Sequence, residues 1–242
     1  MSSPKNSVST MLRAHKIKLD PNQDQATYFA KACGVARHAF NWALAEWKAQ
    51  YEAGLKPNEA ALRKQYNAIK PIEFPWALEV TKNAPQQAIK NAGAAFSNFF
   101  RKVKAGKKGK DCGYPRFKRK GIHDAFRADN GPPSKGVAAV QVDGKRVKLP
   151  IIGWVKMREE LRFSGCIQST TVSRLADGWY ISILVETDEG LRRESTGTVG
   201  VDFGLKALAT LSTGESIAGP KPHRKLDRRL RRLNRSLARK RK

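Results

Sequence analysis

Apolar and basic positions alternate over residues 11–19. Leu12, Ala14, Ile17 and Leu19 stand among Arg13, His15, Lys16 and Lys18, which predicts a half-buried strand with a basic outer face. Asp20-Pro21 then reads as an N-cap with proline at the first helical position, and Gln23 completes a capping-box pattern. Phe29, Cys33, Ala36, Phe40, Leu44, Trp47 and Tyr51 follow at steps of 4, 3, 4, 4, 3 and 4, the period of one long helix that Gly54 ends. A second helix is predicted over about 58–69. A third starts at Asn83-Ala84-Pro85, with the stripe Ile89, Ala92, Phe96, Phe99 and Val103. The first hundred residues therefore read as one strand and a helical bundle.

The pattern changes at residue 101. From Arg101 to Lys120 there are 10 Lys/Arg and one acid, a charge of +9, and Gly106, Gly109, Gly113 and Pro115 predict a loop. Residues 122–187 read as β structure. One hairpin carries Val140, Val142, Val147 and Leu149 about an Asp143-Gly144 turn. A second runs from Thr170–Leu175 through Asp177-Gly178 to Tyr180–Val185. Together with the first strand these are expected to close a small barrel. A polar linker spans 187–197. A new unit then begins with strands at Thr198–Asp202 and Ala207–Leu211 about a turn at Gly204. The last 22 residues hold 12 Lys/Arg and one Asp, and Leu226, Leu230, Leu233 and Leu237 at steps of 4, 3 and 4 predict an amphipathic basic helix.

Composition narrows the class. The net charge over 242 residues is +26, with 40% hydrophobic residues, so the chain can bury a core and needs polyanionic company. Nucleic acid is the first candidate and an anionic membrane surface the second. No apolar run is long enough to span a bilayer. Residues 1–10 read as a loose polar tail without signal-peptide character. Cys33, Cys112 and Cys166 are scattered, with no paired zinc spacing, which suits a reducing cytoplasm.

Four segments carry candidate chemistry. In Val199-Gly200-Val201-Asp202-Phe203-Gly204-Leu205 a strand delivers one carboxylate, and the nearby glycine leaves room for phosphate. Mg²⁺-dependent phosphodiester chemistry uses such a placement, although a strand-ending Asp and the phosphate loop of actin-like ATPases have the same pattern. The loop Gly113-Tyr114-Pro115-Arg116-Phe117-Lys118-Arg119-Lys120 interleaves cations with rings, as a polynucleotide groove does. The C-terminal basic helix fits RNA or DNA, or a short coiled-coil seam. Lys82, Gln86 and Gln87 at a helix start suit phosphate and adenine edges, or simply cap the helix. His15, His38, His123 and His223 show no ligand spacing and read as structural or solvated.

The order of segments resembles the TnpB (OrfB) family of transposon-encoded RNA-guided DNA endonucleases, relatives of the type V CRISPR effectors. The resemblance runs from Met11 to the last residue. It rests on Arg13-Ala14-His15-Lys16, Leu19-Asp20-Pro21-Asn22, Gly34, Arg37, Phe40-Asn41, Leu44, Phe96–Phe100, Gly113–Phe117, Phe126-Arg127, Leu149–Lys156, Val199–Leu211 and the basic helix. It implies an α+β fold. A helical recognition lobe (21–105) is inserted in a small wedge β-barrel (11–20 and 106–190), followed by the start of an RNase H-like RuvC α/β domain (197–242). It implies that Asp202 is the first catalytic carboxylate and a metal ligand. Lys82, Gln86 and Arg127 would read a short duplex motif beside the target, and Arg116, Lys118, Arg119 and Lys120 would hold the backbone of guide RNA or target. Tyr114 and Phe117 would anchor the loop.

The implied partners are guide RNA and double-stranded target DNA, with no membrane. The implied cofactor is Mg²⁺, and the implied role is a transposition-associated, cytoplasmic nuclease. The family's second catalytic Glu, paired-CxxC zinc ribbon and third Asp have no counterpart in this sequence. The chain is accordingly expected to be an N-terminal portion that does not cut DNA by itself. The rival expectation is a truncated, non-catalytic nucleic-acid-binding protein, a repressor or a relic.

Overall fold

The computed structural model describes residues 10–130, 138–176, 178–188, 197–204, 207–219 and 222–240. The tail 1–9, Asp177 of the second hairpin, most of the expected linker (189–196) and Leu205 lie outside these. The chain divides into two compact units, 1–190 and 191–242.

In the first unit, strand β1 (Thr10–Asp20) leads into helix α1 (Gln23–Glu52). The strand uses Asp20, whose carboxylate meets Arg158 at 3.1 Å and Lys156 at 3.8 Å. The helix cap therefore falls to Asn22, not Asp20. Asn22 Oδ1 accepts from the Gln25 N–H at 2.8 Å and Gln25 Oε1 accepts from the Asn22 N–H, a reciprocal box two residues later than expected. Helices α2 (Glu59–Glu73) and α3 (Asn83–Lys104) complete the bundle, with a 3₁₀ turn at Pro75–Leu78 between them. Trp47 of α1 stacks on Phe96 of α3 at 4.5 Å. The stripe of α1 is buried through Leu44, whereas Tyr51 is exposed. The first four residues of the basic segment are the last turn of α3, as the α3 stripe through Val103 predicts, so the loop expected from residue 101 starts later. A 3₁₀ turn follows at Gly109–Cys112.

Strands β2 (Ala125–Asp129), β3 (Gln141–Asp143), β4 (Arg146–Leu149), β5 (Gly153–Met157), β6 (Cys166–Leu175) and β7 (Gly178–Asp188) join β1 in one antiparallel sheet, ordered β2-β6-β7-β1-β5-β4-β3. The expected barrel is not closed, because the edge strands β2 and β3 share no ladder. Instead the Asn130 side chain spans the seam. Its Oδ1 accepts from the Val140 N–H at 2.9 Å, and its amide donates to the carbonyls of Val140 (3.3 Å) and Ile167 (3.0 Å). One side-chain amide thus satisfies backbone groups that a ladder would otherwise pair.

Register sends odd-numbered residues of β1 inward. His15 is therefore buried, which corrects the reading of this strand's polar residues as an outer face. Its Nδ1 accepts from the Arg162 N–H at 3.3 Å, and its Nε2 lies 3.5 Å from Glu159. The helices and the sheet share one core. Phe29 of α1 packs at 5.3 Å on Trp179 of β7 and at 5.9 Å on Phe126 of β2.

The second unit holds a three-stranded antiparallel sheet, β10-β9-β8, from β8 (Val201–Asp202), β9 (Ala209–Leu211) and β10 (Ser216–Ile217). Both predicted strands are shorter than expected. Helix α4 (Pro222–Lys240) follows, with its four leucines exposed. No helix among the described residues is long and apolar enough to cross a membrane.

Candidate nucleic-acid interface

The basic segment after α3 is fastened to α1 by three contacts. The Asn41 carboxamide accepts from the backbone N–H of Lys118 at 2.8 Å and donates to the carbonyl of the same residue at 3.0 Å. One turn earlier on the helix, Arg37 meets Asp124 at 3.0 Å, and the other Asp124 oxygen accepts from the Gly121 N–H. Between these, the Lys118 ammonium sits 4.5 Å from the centre of the Phe40 ring. Burial of that ammonium lowers its pKa. Residues 37, 40, 41 and 44 share one side of α1 because 3.6 residues make a turn, and the first three of these meet the loop.

Lys118 also reaches a recess of about 160 Å³ between α1, α3, β2 and β6. Gln87, Asn91, Arg127 and Thr171 supply its polar lining, over a floor of Ala36, Ala84, Ala88 and Phe126. Gln87 donates to Asn91 Oδ1 at 3.1 Å, one turn along α3. Arg127 Nε is held by Asp129 two residues along the same strand face. The alanine floor lets two amides, a guanidinium and an ammonium converge at this place.

Of the residues singled out from sequence, Gln87, Lys118 and Arg127 come together here. Lys82 and Gln86 do not line the recess. They sit one turn apart at the start of α3, where the Gln86 N–H donates to the Lys82 carbonyl at 3.4 Å. Arg116, Arg119 and Lys120 lie exposed on the clamped loop. Asn91, Thr171 and the clamp residue Asp124 went unremarked in the sequence. Asn91 alone had a signal, being four residues after Gln87 on one helix face.

Asp202 ends β8, pairs through its backbone with Thr210 of β9, and is exposed. It makes no ion pair among the described residues. Among the described residues, a Cβ at Gly204 would meet the Ala207 carbonyl oxygen at 3.5 Å, an ordinary van der Waals contact. Among the described residues no three His, Cys, Asp or Glu side chains converge as a metal site. A Mg²⁺ pair needs several carboxylates, and Asp202 is one.

The family HTH_OrfB_IS605, described as a helix-turn-helix domain, matches residues 11–56. In this chain that span is β1 followed by a single uninterrupted helix, α1. A protein of Escherichia coli K12 named "Putative RNA-guided DNA endonuclease InsQ" is 32% identical over 232 residues, covering 95% of this chain and 54% of the relative. Proteins of the same designation from Streptomyces pristinaespiralis (31% over 243 residues) and Mycobacterium tuberculosis (29% over 259 residues) cover 94% of this chain and 55% of their own length. The chain belongs to the TnpB (OrfB) family of transposon-associated proteins. It spans about half the length of these relatives.

Proposed function

We propose that this chain supplies the polynucleotide-gripping part of an RNA-guided, Mg²⁺-dependent DNA endonuclease of a transposable element, acting in the cytoplasm on guide RNA and double-stranded target DNA. The observation that carries the reading is the recess where Gln87, Asn91, Lys118 and Arg127 converge beside a clamped basic loop. Amides and cations held over small apolar residues suit base edges and phosphates together. In this reading RNA pairing selects the sequence, and the protein reads only a short flanking motif. Lys82, Gln86 and Arg127 serve as those readers. Arg116, Lys118, Arg119, Lys120 and the arginines of α4 hold phosphates. Residues 21–105 act as the recognition lobe, the strands of the first unit as the wedge, and residues 197–242 as the opening of a RuvC-like nuclease domain.

Asp202 contributes one metal-binding carboxylate to that domain. The described residues do not form a Mg²⁺ site on their own, and no hydrolytic step is assigned to them. A second reading, a protein that binds nucleic acid without cutting it, rests on the same recess and clamped loop, whose contacts involve no metal.

The test is equilibrium binding of duplex DNA and of RNA across a salt series. Affinity is expected to fall steeply as salt rises, and Arg116→Glu with Arg119→Glu is expected to flatten the slope. Affinity independent of salt and of these substitutions overturns the reading. A plasmid-cleavage assay with RNA and Mg²⁺ addresses Asp202. Cutting that survives Asp202→Ala removes its role.

A further inference from the structure

The two rings of the basic loop have different fates. Tyr114, though half exposed, docks edge-on against Phe96 at 5.9 Å and Phe99 at 5.1 Å and so ties the loop to α3. Phe117 does not. It makes no ring contact among the described residues and is 60% exposed. It lines an open recess of about 710 Å³ with Arg116, Arg119, Ile122 and His123, a size within the range of small-ligand clefts of about 300–1,000 Å³.

Isolated exposed apolar side chains are common, but this one is mounted. The next residue, Lys118, has both backbone groups bound by Asn41. His123, which also lines the recess, has a left-handed backbone at φ 56°, and its neighbour Asp124 binds Arg37 and the Gly121 N–H. The ring is thus presented on a braced loop, within a segment of charge +9. The cations select a polyanion, and the free ring face offers it something a phosphate cannot use.

We infer that Phe117 is a stacking platform for one unpaired nucleotide of a single-stranded polynucleotide, with Arg116 and Arg119 taking the flanking phosphates. The inference rests on the proposed polynucleotide-binding role and adds the form that is recognised. A duplex keeps its base faces stacked internally, so it cannot use the ring. Every base has a π face, so the site is tolerant of sequence.

The experiment compares affinity for single-stranded DNA, single-stranded RNA of the same sequence and duplex DNA in the full chain and in Phe117→Ala, Phe117→Leu and Phe117→Trp. An oligonucleotide carrying 2-aminopurine reports stacking through its fluorescence. Phe117→Ala is expected to weaken single-strand binding by about tenfold. Leu is expected to fail to rescue, Trp to restore binding, and duplex affinity to stay put. Loss on both single strands assigns the platform to their shared chemistry. Loss on DNA alone or RNA alone names the source. Unchanged single-strand binding, or equal loss on duplex with a lowered unfolding midpoint, overturns the inference. If Arg116→Glu with Arg119→Glu weakens binding while Phe117→Ala does not, only the platform falls. If neither matters, the proposed function falls with it.

Discussion

Asn41 on α1 holds Lys118 by both of its backbone hydrogen-bonding groups, at 2.8 and 3.0 Å. A carboxamide can donate and accept at once, so one side chain replaces the two bonds that a neighbouring strand would provide. Asn41→Ala is expected to cost about 1–2 kcal/mol in urea unfolding. It is also expected to make residues 113–124 the first site of limited proteolysis, and to weaken nucleic-acid binding without touching a charge. Unchanged proteolysis of that segment would show that the loop is held elsewhere.

The seam of the sheet depends on a second such residue. Asn130→Ala leaves the N–H of the buried Val140 without its partner, and is expected to cost about 1–3 kcal/mol. Hydrogen exchange at Val140 should accelerate more than exchange in β7.

Helices α2 and α3 approach closely at Gly93. A Cβ there would lie 2.7 Å from Glu59 Cβ, an atom too near its own backbone to swing aside. Gly93→Ala is therefore expected to destabilise by about 1–3 kcal/mol by overpacking, despite the better helix propensity of alanine. A raised unfolding midpoint would contradict the packing.

His38 lies between Phe74 at 4.5 Å and Trp76 at 4.9 Å, and burial lowers its pKa from 6.5. The unfolded chain then binds a proton at a pH where the folded chain does not. Stability from this group is present above about pH 6.5 and is lost as the pH falls below it. Urea midpoints measured from about pH 7 down to about pH 5 should decline, and His38→Phe should flatten that decline.

Cys33 is buried, and its thiol pKa is pushed up to about 12 by burial and then by Asp124. Its contribution to stability is full below its ordinary value of 9.0 and is lost between there and 12. Cys112 is buried and donates to the Lys107 carbonyl, whereas Cys166 is exposed. A thiol reagent at neutral pH should label Cys166 alone in the folded chain and all three cysteines in denaturant. Fast labelling of Cys33 would refute its placement.

Periodicity made the long helix legible, since burial of Phe29, Cys33, Ala36, Phe40 and Leu44 follows directly from a 3.6-residue turn. The two hairpins pair the expected strands, but the turns are displaced: Asp143 pairs with Arg146, which leaves Gly144-Lys145 as the first loop, and Gly178 pairs with Leu175, with Asp177 outside the described residues. The N-cap was misplaced by two residues because Asp20 had a competing use in β1, bound to Arg158 from a distant segment. The barrel was wrong because alternation tells which face of a strand is apolar, but not whether the first and last strands of a sheet meet. At the interface, charge marked the basic loop and motif order marked Arg37, Phe40 and Asn41, yet nothing local tied them to one another.

The sequence by itself determined the long helices, the two hairpins, the excess of positive charge and the segment that concentrates it, because these depend on residues near one another along the chain. Only the tertiary structure decided that Asn41 braces Lys118, that Gln87, Asn91 and Arg127 share a recess, and that of two exposed rings in one motif Tyr114 meets other rings while Phe117 meets none among the described residues. Those outcomes depend on which distant surfaces meet. Side chains such as asparagine and phenylalanine are equally at home in either role until a neighbour is in place.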